Sequence, residues 1–490
     1  RYGEKALQHF EQMQVEGICL DSVAYLCSLK ACSYSTRVES IRSKLHSLIA
    51  FNGLLEKDLT VGNTLIDIYA ESGGLVEARE VFFKIPARDL ISWNALISGY
   101  GHKEIVEETH YCLHQMQQEG ILPDIITFTC CLKACRCART MDKAIQIHAR
   151  VGPLEQGDVI GNALVDMYAK CGFFTKAQEV FDNLLIRNVV SWTVLALGYS
   201  NHGHAKEALN LYRQMQPEGV CPNSTTYVCC LKACGILRDS IMGGEIYSEM
   251  NKKGSSDNDL VLGNALINMY AKCGLFSEAL HLHEKLCVRD IGSWNALFAG
   301  YALHKKAREA VDWLTCMQLE GLSPDSTSLT SILKACGSAE AMNEGRNMHD
   351  EIAKKGLFQG DLVIGNALID MCAKCGLLQK AQEVFDELPI KDVVSWTALI
   401  SGYAKAEHAE EALSCYERMQ IDGVFPDAIT FACILKACGN IGAIHKGIAI
   451  HSEIARYGLL EKDLVVGNSL IEMYVKCFRV GKAQEVFDML

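Results

Sequence analysis

The chain has 490 residues, of which 49% are hydrophobic and 8% aromatic, and its 47 Lys and Arg against 59 Asp and Glu give a net charge of −12. This composition can form a folded core, whereas the acidic balance argues against strong, indiscriminate phosphate binding, which depends on clustered Lys and Arg. Charged residues interrupt every apolar stretch before it reaches the ~18 residues that a membrane-spanning helix needs, so we expect no membrane partner.

A long repeat runs through the sequence. Trp93, Trp192, Trp294 and Trp396 lie 99, 102 and 102 residues apart, and each follows a serine. Three shorter units alternate within the long repeat, with lengths of 35, 36 and 31 residues near the end of the chain. Periods of this size are typical of stacked helical hairpins. In chain order the sequence predicts a partial motif at 1–21, whole motifs at 22–58, 59–89, 90–124, 125–157, 158–188, 189–223, 224–259, 260–290, 291–325, 326–361, 362–392, 393–427 and 428–463, and a partial motif at 464–490.

Each unit is predicted to contain two helices, as the unit at 393–427 illustrates. Its first half carries apolar residues at positions i, i+3, i+4 and i+7, namely Trp396, Leu399, Ile400 and Tyr403. The second half repeats this stripe from Ala409 to Met419, and Gly423 and Pro426 then end the helix. Because one hairpin cannot bury its own apolar faces, neighbouring hairpins must stack. The predicted fold is therefore an all-α solenoid, one continuous array over 1–490 with a concave surface.

The 23 cysteines include many that recur at fixed places within apolar helical patterns. In a small secreted protein such a number would indicate disulfides, but this placement favours buried free thiols in a reducing compartment. Each cysteine would then act as a small apolar side chain. The recurring positions end Leu-Lys-Ala-Cys at Cys32, Cys135, Cys234, Cys336 and Cys438, and Ala-Lys-Cys or Val-Lys-Cys at Cys171, Cys273, Cys375 and Cys477.

The unit lengths and motifs resemble those of pentatricopeptide repeat (PPR) proteins, in particular the subclass that mixes standard, long and short motifs. The standard motifs close with Gly-x-x-Pro-Asp or Gly-x-x-Pro-Asn, as at 423–427, and the long motifs carry Leu-Lys-Ala-Cys. The short motifs carry Gly-Asn-x-Leu-Ile-x-Met-Tyr-Ala-Lys-Cys-Gly or a variant, as at 263–274. The resemblance covers essentially the whole chain. It implies a right-handed superhelical solenoid that binds single-stranded organellar RNA, one motif per nucleotide.

In that family two residues per motif read the base: the fifth residue, on the first helix, and the last residue. An unstacked base exposes its Watson–Crick edge, which two side chains can contact. The resemblance therefore assigns RNA binding to Asn63 with Asp89, Asn94 with Asp124, Asn162 with Asn188, Thr193 with Asn223, Asn264 with Asp290, Asn295 with Asp325, Asn366 with Asp392, Thr397 with Asp427, and Asn468 without a closing partner. A purely structural alternative is that these residues open and cap helices, a common use of Asn and Asp.

The closing residue is expected to sort bases by the polarity of the base edge. Asp only accepts hydrogen bonds and suits uracil or guanine, whose ring nitrogen carries a hydrogen, whereas Asn can donate to the bare ring nitrogen of adenine or cytosine. In the family, Asn at the fifth position goes with pyrimidines and Thr with purines. From the motif at 59–89 onward, the predicted bases are pyrimidine (U favoured), U, unread, pyrimidine (C allowed), A, unread, pyrimidine, U, unread, pyrimidine and G.

Two other positions bear on RNA. In the family, the second residue of a standard motif wedges between bases, a role that falls to Ile91, Val190 and Val394, while Gly292 departs from the pattern. The long motifs are expected to space rather than read, since their fifth residues are Leu26, Thr129, Val228, Thr330 and Ala432. One helical turn later these motifs carry a lysine row that either follows the RNA backbone or is merely solvated, at Lys133, Lys232, Lys334 and Lys436.

We find no catalytic constellation. Some relatives of this subclass end in a cytidine deaminase, whose zinc site needs His-x-Glu and Pro-Cys-x-x-Cys. His349 to Glu351 and His451 to Glu453 match the first half but occupy the same repeat position twice, and the pair Cys372 and Cys375 lacks the preceding proline. We therefore expect no enzyme activity, cofactor, metal or small-molecule substrate. The main rival function is a protein-binding scaffold of the tetratricopeptide kind, which also stacks hairpins of about 34 residues.

Arg1 and Leu490 both fall inside a repeating unit, so we expect the chain to be a piece of a longer protein. A targeting peptide would precede Arg1, and a catalytic domain, if there is one, would follow Leu490. The resemblance alone implies an organellar location, in the chloroplast or the mitochondrion. It also implies RNA-editing or RNA-processing proteins as further partners.

Overall fold

The computed structural model of the chain describes residues 2–18, 20–32, 38–135, 138–152, 157–253, 259–286, 288–460 and 463–490. The regular structure in these residues consists of 30 α-helices and one short 3-10 helix, which confirms the all-α prediction. The chain divides into two compact units, Arg1–Ala233 and Cys234–Leu490. Within the described ranges, no helix has both the length and the hydropathy needed to cross a membrane.

The first unit contains the helices up to α15, whose last residues, from Cys234 on, belong to the second unit. They are α1 (Tyr2–Val15), α2 (Ser22–Cys32), α3 (Val38–Phe51), α4 (Leu54–Lys57), α5 (Leu59–Ser72), α6 (Leu75–Lys84), α7 (Leu90–His102), α8 (Val106–Gln118), α9 (Ile125–Ala134), the 3-10 helix Ala138–Thr140, α10 (Met141–Val151), α11 (Asp158–Lys170), α12 (Phe174–Asp182), α13 (Val189–Asn201), α14 (Ala205–Met215) and α15 (Ser224–Leu237).

The second unit contains the remaining helices. They are α16 (Ser240–Lys252), α17 (Leu260–Cys273), α18 (Phe276–Lys285), α19 (Ile291–Leu303), α20 (Ala307–Leu319), α21 (Ser326–Ala339), α22 (Met342–Lys354), α23 (Leu362–Lys374), α24 (Leu378–Glu387), α25 (Val393–Lys405), α26 (Ala409–Ile421), α27 (Ala428–Ile441), α28 (Ile444–Arg456), α29 (Leu464–Lys476) and α30 (Val480–Met489).

The helices form hairpins as the hydrophobic periodicity predicts. In α25, Trp396, Leu399 and Ile400 are fully buried, and in α26 the stripe from Ala409 to Met419 is buried as well. Each first helix of a predicted motif starts at that motif's first residue. A polar residue just before the helix favours this start everywhere except at α11, which follows Gly157 and has no side-chain cap. The division of the chain into motifs stays a prediction.

Successive first helices pack against one another inside each unit. In the first unit α5, α7, α9, α11 and α13 follow one another, and in the second unit α17, α19, α21, α23, α25, α27 and α29 do so. Glycine sets how closely they approach: a Cβ added at Gly99 would lie 2.5 Å from the Ala70 Cβ, and one at Gly402 would lie 2.5 Å from the Ala373 Cβ. Neighbouring first helices therefore lie as close as their backbones allow, which fixes the spacing of the side chains they carry.

The recurring tryptophans and cysteines belong to the core. Each tryptophan is buried edge-on against a ring of the preceding hairpin, as in Trp192 with Phe181 at 4.8 Å and Trp396 with Phe385 at 4.5 Å between centroids. The cysteines Cys135, Cys234, Cys336 and Cys438 are buried, as predicted. Cys273 and Cys477 are only partly buried, and the Cys32 side chain lies outside the described part of the structure.

Candidate nucleic-acid interface

The closing residues of the predicted pairs all cap the helix that follows them. At Asp89 the backbone is extended, and Oδ1 accepts a hydrogen bond from the Ser92 backbone N–H at 2.8 Å. The same bond from the third residue of the next helix occurs at Asp124, Asn188, Asn223, Asp290, Asp325, Asp392 and Asp427. These residues therefore do cap helices, as the structural alternative predicts. The cap uses only Oδ1, which leaves the second carboxylate oxygen of Asp and the amide nitrogen of Asn available for other contacts.

The fifth and closing residues come together wherever Asn is paired with Asp. The Asn Nδ2 donates to the Asp Oδ1 in each case. The distances are 3.2 Å for Asn63 and Asp89, 3.1 Å for Asn94 and Asp124, 3.1 Å for Asn264 and Asp290, 3.2 Å for Asn295 and Asp325, and 3.1 Å for Asn366 and Asp392. Capping and pairing thus coexist, and each pair forms one hydrogen-bonded unit at the start of a first helix.

The two threonine pairs are connected through an intermediate hydroxyl. Thr193 Oγ1 lies 2.7 Å from Thr226 Oγ1, and Thr226 donates to Asn223 Oδ1 at 2.9 Å. Thr397, Thr430 and Asp427 repeat this chain with distances of 2.6 and 2.7 Å. In both pairs the fifth-position hydroxyl also lies 2.6 or 2.7 Å from a backbone carbonyl one turn earlier in its own helix, and this carbonyl competes with the second threonine for the single hydroxyl hydrogen.

The remaining predicted residues are not joined in this way. No hydrogen bond joins the side chains of Asn162 and Asn188 in the described part of the chain, where Asn188 Oδ1 accepts from two backbone N–H groups. Asn468 is exposed on α29. The predicted assignment of these three residues to RNA therefore has less geometric support than that of the paired residues.

A groove of about 390 Å³ lies on the face that carries the first two pairs. Asn63, Asp89, Ile91 and Asn94, all predicted from the sequence, line it. The second residues of the flanking motifs, Thr60 and Ile126, line it too. The groove thus combines polar pairs with branched side chains from three consecutive motifs.

Branched apolar residues at the second position of a motif are exposed well beyond the predicted standard motifs. Ile91, Val190 and Val394 are exposed, and so are Val23, Ile126, Val159, Val261, Val363, Ile429 and Val465 in long and short motifs. The repeat period itself could have identified the second group. Val and Ile at one repeat position on exposed faces indicate a contact surface rather than a core position.

One set of residues beside the pairs has no counterpart among the sequence predictions: the hydroxyls at the third position of the next motif. All are completely buried beside the pairs: Ser92, Thr127, Ser191, Thr226, Ser293, Ser328, Ser395 and Thr430. The available signal was a Ser or Thr three residues after each closing residue, the spacing of a capping box. Five of these hydroxyls also contact the fifth residue of the preceding motif, namely those of Ser92, Thr127, Thr226, Ser328 and Thr430.

The carboxylates of three pairs are held in the ionised form. Burial raises the pKa of Asp89, but hydrogen bonds from the Ser92 backbone, the Ser92 hydroxyl and the Asn63 amide outweigh it and leave the pKa below its ordinary value. The pKa values of Asp124 and Asp325 are lowered by the same balance. At neutral pH each carboxylate is therefore a hydrogen-bond acceptor only.

The lysine row and the residues that resemble half of a zinc site lie outside the hydrogen-bonded pairs. Lys133, Lys232, Lys334 and Lys436 are exposed, and the Lys232 Nζ donates to Asn201 Oδ1 at 2.6 Å. Glu351 accepts from Gln318 and Lys355, and Glu453 accepts from Tyr416 and Gln420, so each half-motif contributes contacts between helices. Burial raises the pKa of Cys372 to about 12 and that of Cys375 to about 11.

Comparison with known proteins identifies the repeats. The sequence model of the PPR repeat family matches residues 88–137, 187–235 and 391–440, and that of the PPR repeat matches residues 63–90, 162–189, 264–291, 292–322, 366–393 and 468–490. These ranges cover more than half of the chain. A crystal structure of the pentatricopeptide repeat protein PPR10 from maize has the same fold, with a TM-score of 0.55 and 19% identity over 99% of this chain and 81% of that one.

Two relatives from Arabidopsis thaliana illustrate the similarity in sequence. One pentatricopeptide repeat-containing protein is 31% identical over 487 residues, covering 99% of this chain and 58% of its own. Another, named as chloroplastic, is 34% identical over 446 residues, covering 90% of this chain and 72% of its own. Almost the whole chain aligns with two of these curated relatives, but it spans only 58% and 56% of their own lengths.

Proposed function

The chain belongs to the pentatricopeptide repeat family, and from this premise we propose that it binds single-stranded RNA in a sequence-specific way, one nucleotide per motif. The observation that carries the proposal is the set of hydrogen-bonded pairs at the starts of first helices, which repeats with the motif period. Bound to RNA, the protein would guide or recruit other factors for editing, splicing, cleavage or stabilisation of transcripts.

The Asn–Asp pair suits uracil. One hydrogen of the Asn94 Nδ2 is used by Asp124 Oδ1, and the second remains for a base carbonyl. Asp124 Oδ1 takes the cap and the Asn94 amide, so Oδ2 remains to accept from the ring N3–H. A donor beside an acceptor matches the adjacent carbonyl and N–H of uracil, and it mismatches cytosine, whose N3 is bare.

The threonine pairs suit purines of opposite edge polarity. Asn223 Oδ1 accepts from the Thr226 backbone and hydroxyl, which leaves its Nδ2 to donate to N1 of adenine. Asp427 Oδ1 is occupied by Thr430 in the same way, which leaves Oδ2 to accept from N1–H of guanine. Asn188, whose Oδ1 caps α13, has only its Nδ2 to offer and fits a bare ring nitrogen such as N3 of cytosine.

Exposed branched residues at the second position support base stacking. Ile91 lines the same groove as Asn63 and Asn94, and Ile126 of the next motif lines it too. Aliphatic side chains of this kind can pack against the face of any base, so they contribute affinity while the polar pairs contribute selectivity.

The proposed location is an organelle, either the chloroplast or the mitochondrion. The names of matching relatives from Arabidopsis thaliana assign some to the chloroplast and others to the mitochondrion. The partners would be single-stranded organellar RNA and the proteins that process it.

Selection of oligonucleotides from a random RNA pool tests the proposal. We expect the enriched RNAs to follow the order given above, with U opposite the motif at 90–124, A opposite 189–223 and G opposite 393–427. Thr193→Asn combined with Asn223→Asp should then change the preferred base at that position from A to U, by a discrimination of about 1–3 kcal/mol.

The rival function gives a different result in the same experiment. A protein-binding scaffold would retain no RNA and would bind peptides in a titration. An unchanged preference for A in the Thr193→Asn, Asn223→Asp variant would leave RNA binding in place but refute the assignment of the reading pair.

A further inference from the structure

The buried third-position hydroxyls adopt two arrangements beside the asparagines. At Ser92, Thr127 and Ser328 the hydroxyl donates to the Oδ1 of the asparagine in the preceding motif, at 2.6, 2.5 and 2.6 Å. At Ser191, Ser293 and Ser395 it donates instead to the backbone carbonyl of the closing residue, at 2.8, 2.8 and 2.9 Å. We call these the amide-bound and the carbonyl-bound arrangement.

The arrangement of the hydroxyl decides whether the asparagine oxygen has a donor. The asparagines opposite the carbonyl-bound hydroxyls are Asn162, Asn264 and Asn366, and within the described residues nothing donates to their buried Oδ1 atoms. Asn63, Asn94 and Asn295, opposite the amide-bound hydroxyls, each have their Oδ1 satisfied. The correlation holds at all six junctions, although the closing residue caps the next helix in every one.

An amide oxygen with a fixed donor holds the whole amide plane. When Thr127 donates to Asn94 Oδ1, rotation of the amide by half a turn would lose that bond as well as the bond from Nδ2 to Asp124. The second Nδ2 hydrogen therefore points to a fixed place in the groove. At Asn264 only the bond to Asp290 resists rotation, and a buried oxygen without a donor favours any movement that satisfies it.

We propose that the buried third-position hydroxyl is a positioning residue that sets how sharply the preceding asparagine discriminates U from C. This inference rests on the proposed RNA binding and deepens it. Asn94 and Asn295, whose amide oxygens accept from such a hydroxyl in the next motif, discriminate strictly between the two pyrimidines. Asn264 and Asn366, which are followed by a carbonyl-bound hydroxyl, accept U and C more evenly, even though each is also paired with an Asp.

Thr127→Val tests the proposal, because valine has the shape of threonine but no hydroxyl. The binding of the full chain to RNAs that carry U or C opposite Asn94 would be measured, with the rest of the RNA constant. We expect the U-over-C ratio at this position to fall about three- to tenfold, the effect of losing one hydrogen bond to a buried acceptor, down to the ratio found opposite Asn264. Thr127→Ser restores the hydroxyl and should restore the ratio.

Ser293→Ala is the matched control. Its hydroxyl donates to the Asp290 carbonyl and not to Asn264, so the ratio opposite Asn264 should change less than about twofold. A merely structural role would lower affinity for U and C alike in Thr127→Val and leave the ratio unchanged, and that result would overturn the inference. Equal effects of Thr127→Val and Ser293→Ala on their ratios would overturn it as well.

The experiment separates this inference from the proposed function. If the unaltered chain binds no RNA, both fail. If the unaltered chain binds RNA with the expected base order but Thr127→Val keeps its ratio, only the inference fails. Should Thr127→Val lose all binding through misfolding, Ser328→Ala gives the same test opposite Asn295, where the hydroxyl bond is 2.6 Å.

Discussion

Two junctions built from the same three residue types differ in their hydrogen bonds. In Asn63, Asp89 and Ser92 the hydroxyl donates to the amide oxygen, whereas in Asn264, Asp290 and Ser293 it donates to the backbone. The capping backbones are nearly the same, with φ and ψ of −111° and −178° at Asp89 and −105° and 173° at Asp290. The difference is therefore one rotamer of one buried serine.

Residue identity at the neighbouring second position does not explain the choice. Gly292 lies next to Ser293 and Ile91 lies next to Ser92, but Ser395 follows Val394 and is still carbonyl-bound. Two rotamers with good hydrogen bonds are available to each serine, so the energy difference between them is small. Each pair of base-reading residues therefore has a third residue beside it, the buried serine or threonine, and the hydrogen-bond acceptor of its hydroxyl differs from one junction to the next.

Removing the carboxylate should have the largest effect and should widen the contrast. Asp89→Ala loses the cap, the bond from Asn63 and its share of the Ser92 hydroxyl hydrogen, which points to Asn63 Oδ1 as well, and we expect it to lower the free energy of unfolding by about 2–3 kcal/mol. Asp290→Ala loses no hydroxyl bond to its carboxylate, so we expect about 1–2 kcal/mol. Urea denaturation of both variants would measure this, with amide hydrogen exchange of α7 and α19 to localise it. A larger loss in Asp290→Ala would contradict the comparison.

Removing the hydroxyl should separate the two junctions more cleanly. Ser92→Ala leaves the buried Asn63 Oδ1 without its donor, which costs about 1–3 kcal/mol. Ser293→Ala loses only a bond to a carbonyl, and Asn264 Oδ1 already lacks a donor in the described structure, so we expect about 0.5–1 kcal/mol. The midpoints of urea unfolding for the two alanine variants provide the measurement. Equal losses would mean that the two hydroxyl arrangements have the same energetic weight.

Much of the fold could be predicted because the repeat imposes it several times over. A serine and tryptophan near the start of a helix, a stripe of apolar residues and a closing Pro-Asp recur with fixed spacing, so one unit predicts the next. The pairs could be predicted as residues of one site, since family resemblance names their positions. Their bonds to each other follow from the cap, which brings Asp89 beside the helix that carries Asn63.

The hydroxyl arrangement could not be predicted from the sequence. Ser92 and Ser293 have the same spacing from their closing residues and equally buried side chains, so no pattern distinguishes them. The choice is between two rotamers of similar energy, which residue type and spacing do not determine. The exposed second residues of the long and short motifs, such as Ile126 and Val363, could in contrast be predicted from the repeat period, although the prediction names only those of the standard motifs.

Adding a side chain at Gly292 should give the junction of Asn264 and Asp290 the exposed apolar side chain that Ile91 provides at the junction of Asn63 and Asp89. A Cβ at this position would lie 2.8 Å from Asn264 Nδ2 and 3.3 Å from both carboxylate oxygens of Asp290, so the hydrogen-bonded pair must shift slightly to make room for it. Because the added apolar surface outweighs this small shift, Gly292→Val should raise the affinity for RNA about threefold, less than the ~1–3 kcal/mol that an aromatic ring stacked on a base contributes. Fluorescence anisotropy with a labelled target RNA would measure it. Val394→Gly should lower the affinity by a comparable factor, and no change in either variant would rule out the second position as a stacking wall.

The smallest expected effect concerns acid. Because the folded-state pKa of Asp89 lies below its ordinary value, the ionised carboxylate stabilises the fold fully above that ordinary value, and this contribution is lost as pH falls through the lower folded-state pKa. Ser92→Ala removes one of the lowering hydrogen bonds and brings the two pKa values closer. Between about pH 5 and pH 3 the unaltered chain should therefore lose slightly more stability than Ser92→Ala, by less than about 1 kcal/mol. Ser469→Ala, whose hydroxyl donates to the Val465 carbonyl, is the control and should follow the unaltered chain. If Ser92→Ala also follows it, the hydroxyl contributes nothing to holding Asp89 ionised, and the charge of the reading pair is independent of the serine that links it to Asn63.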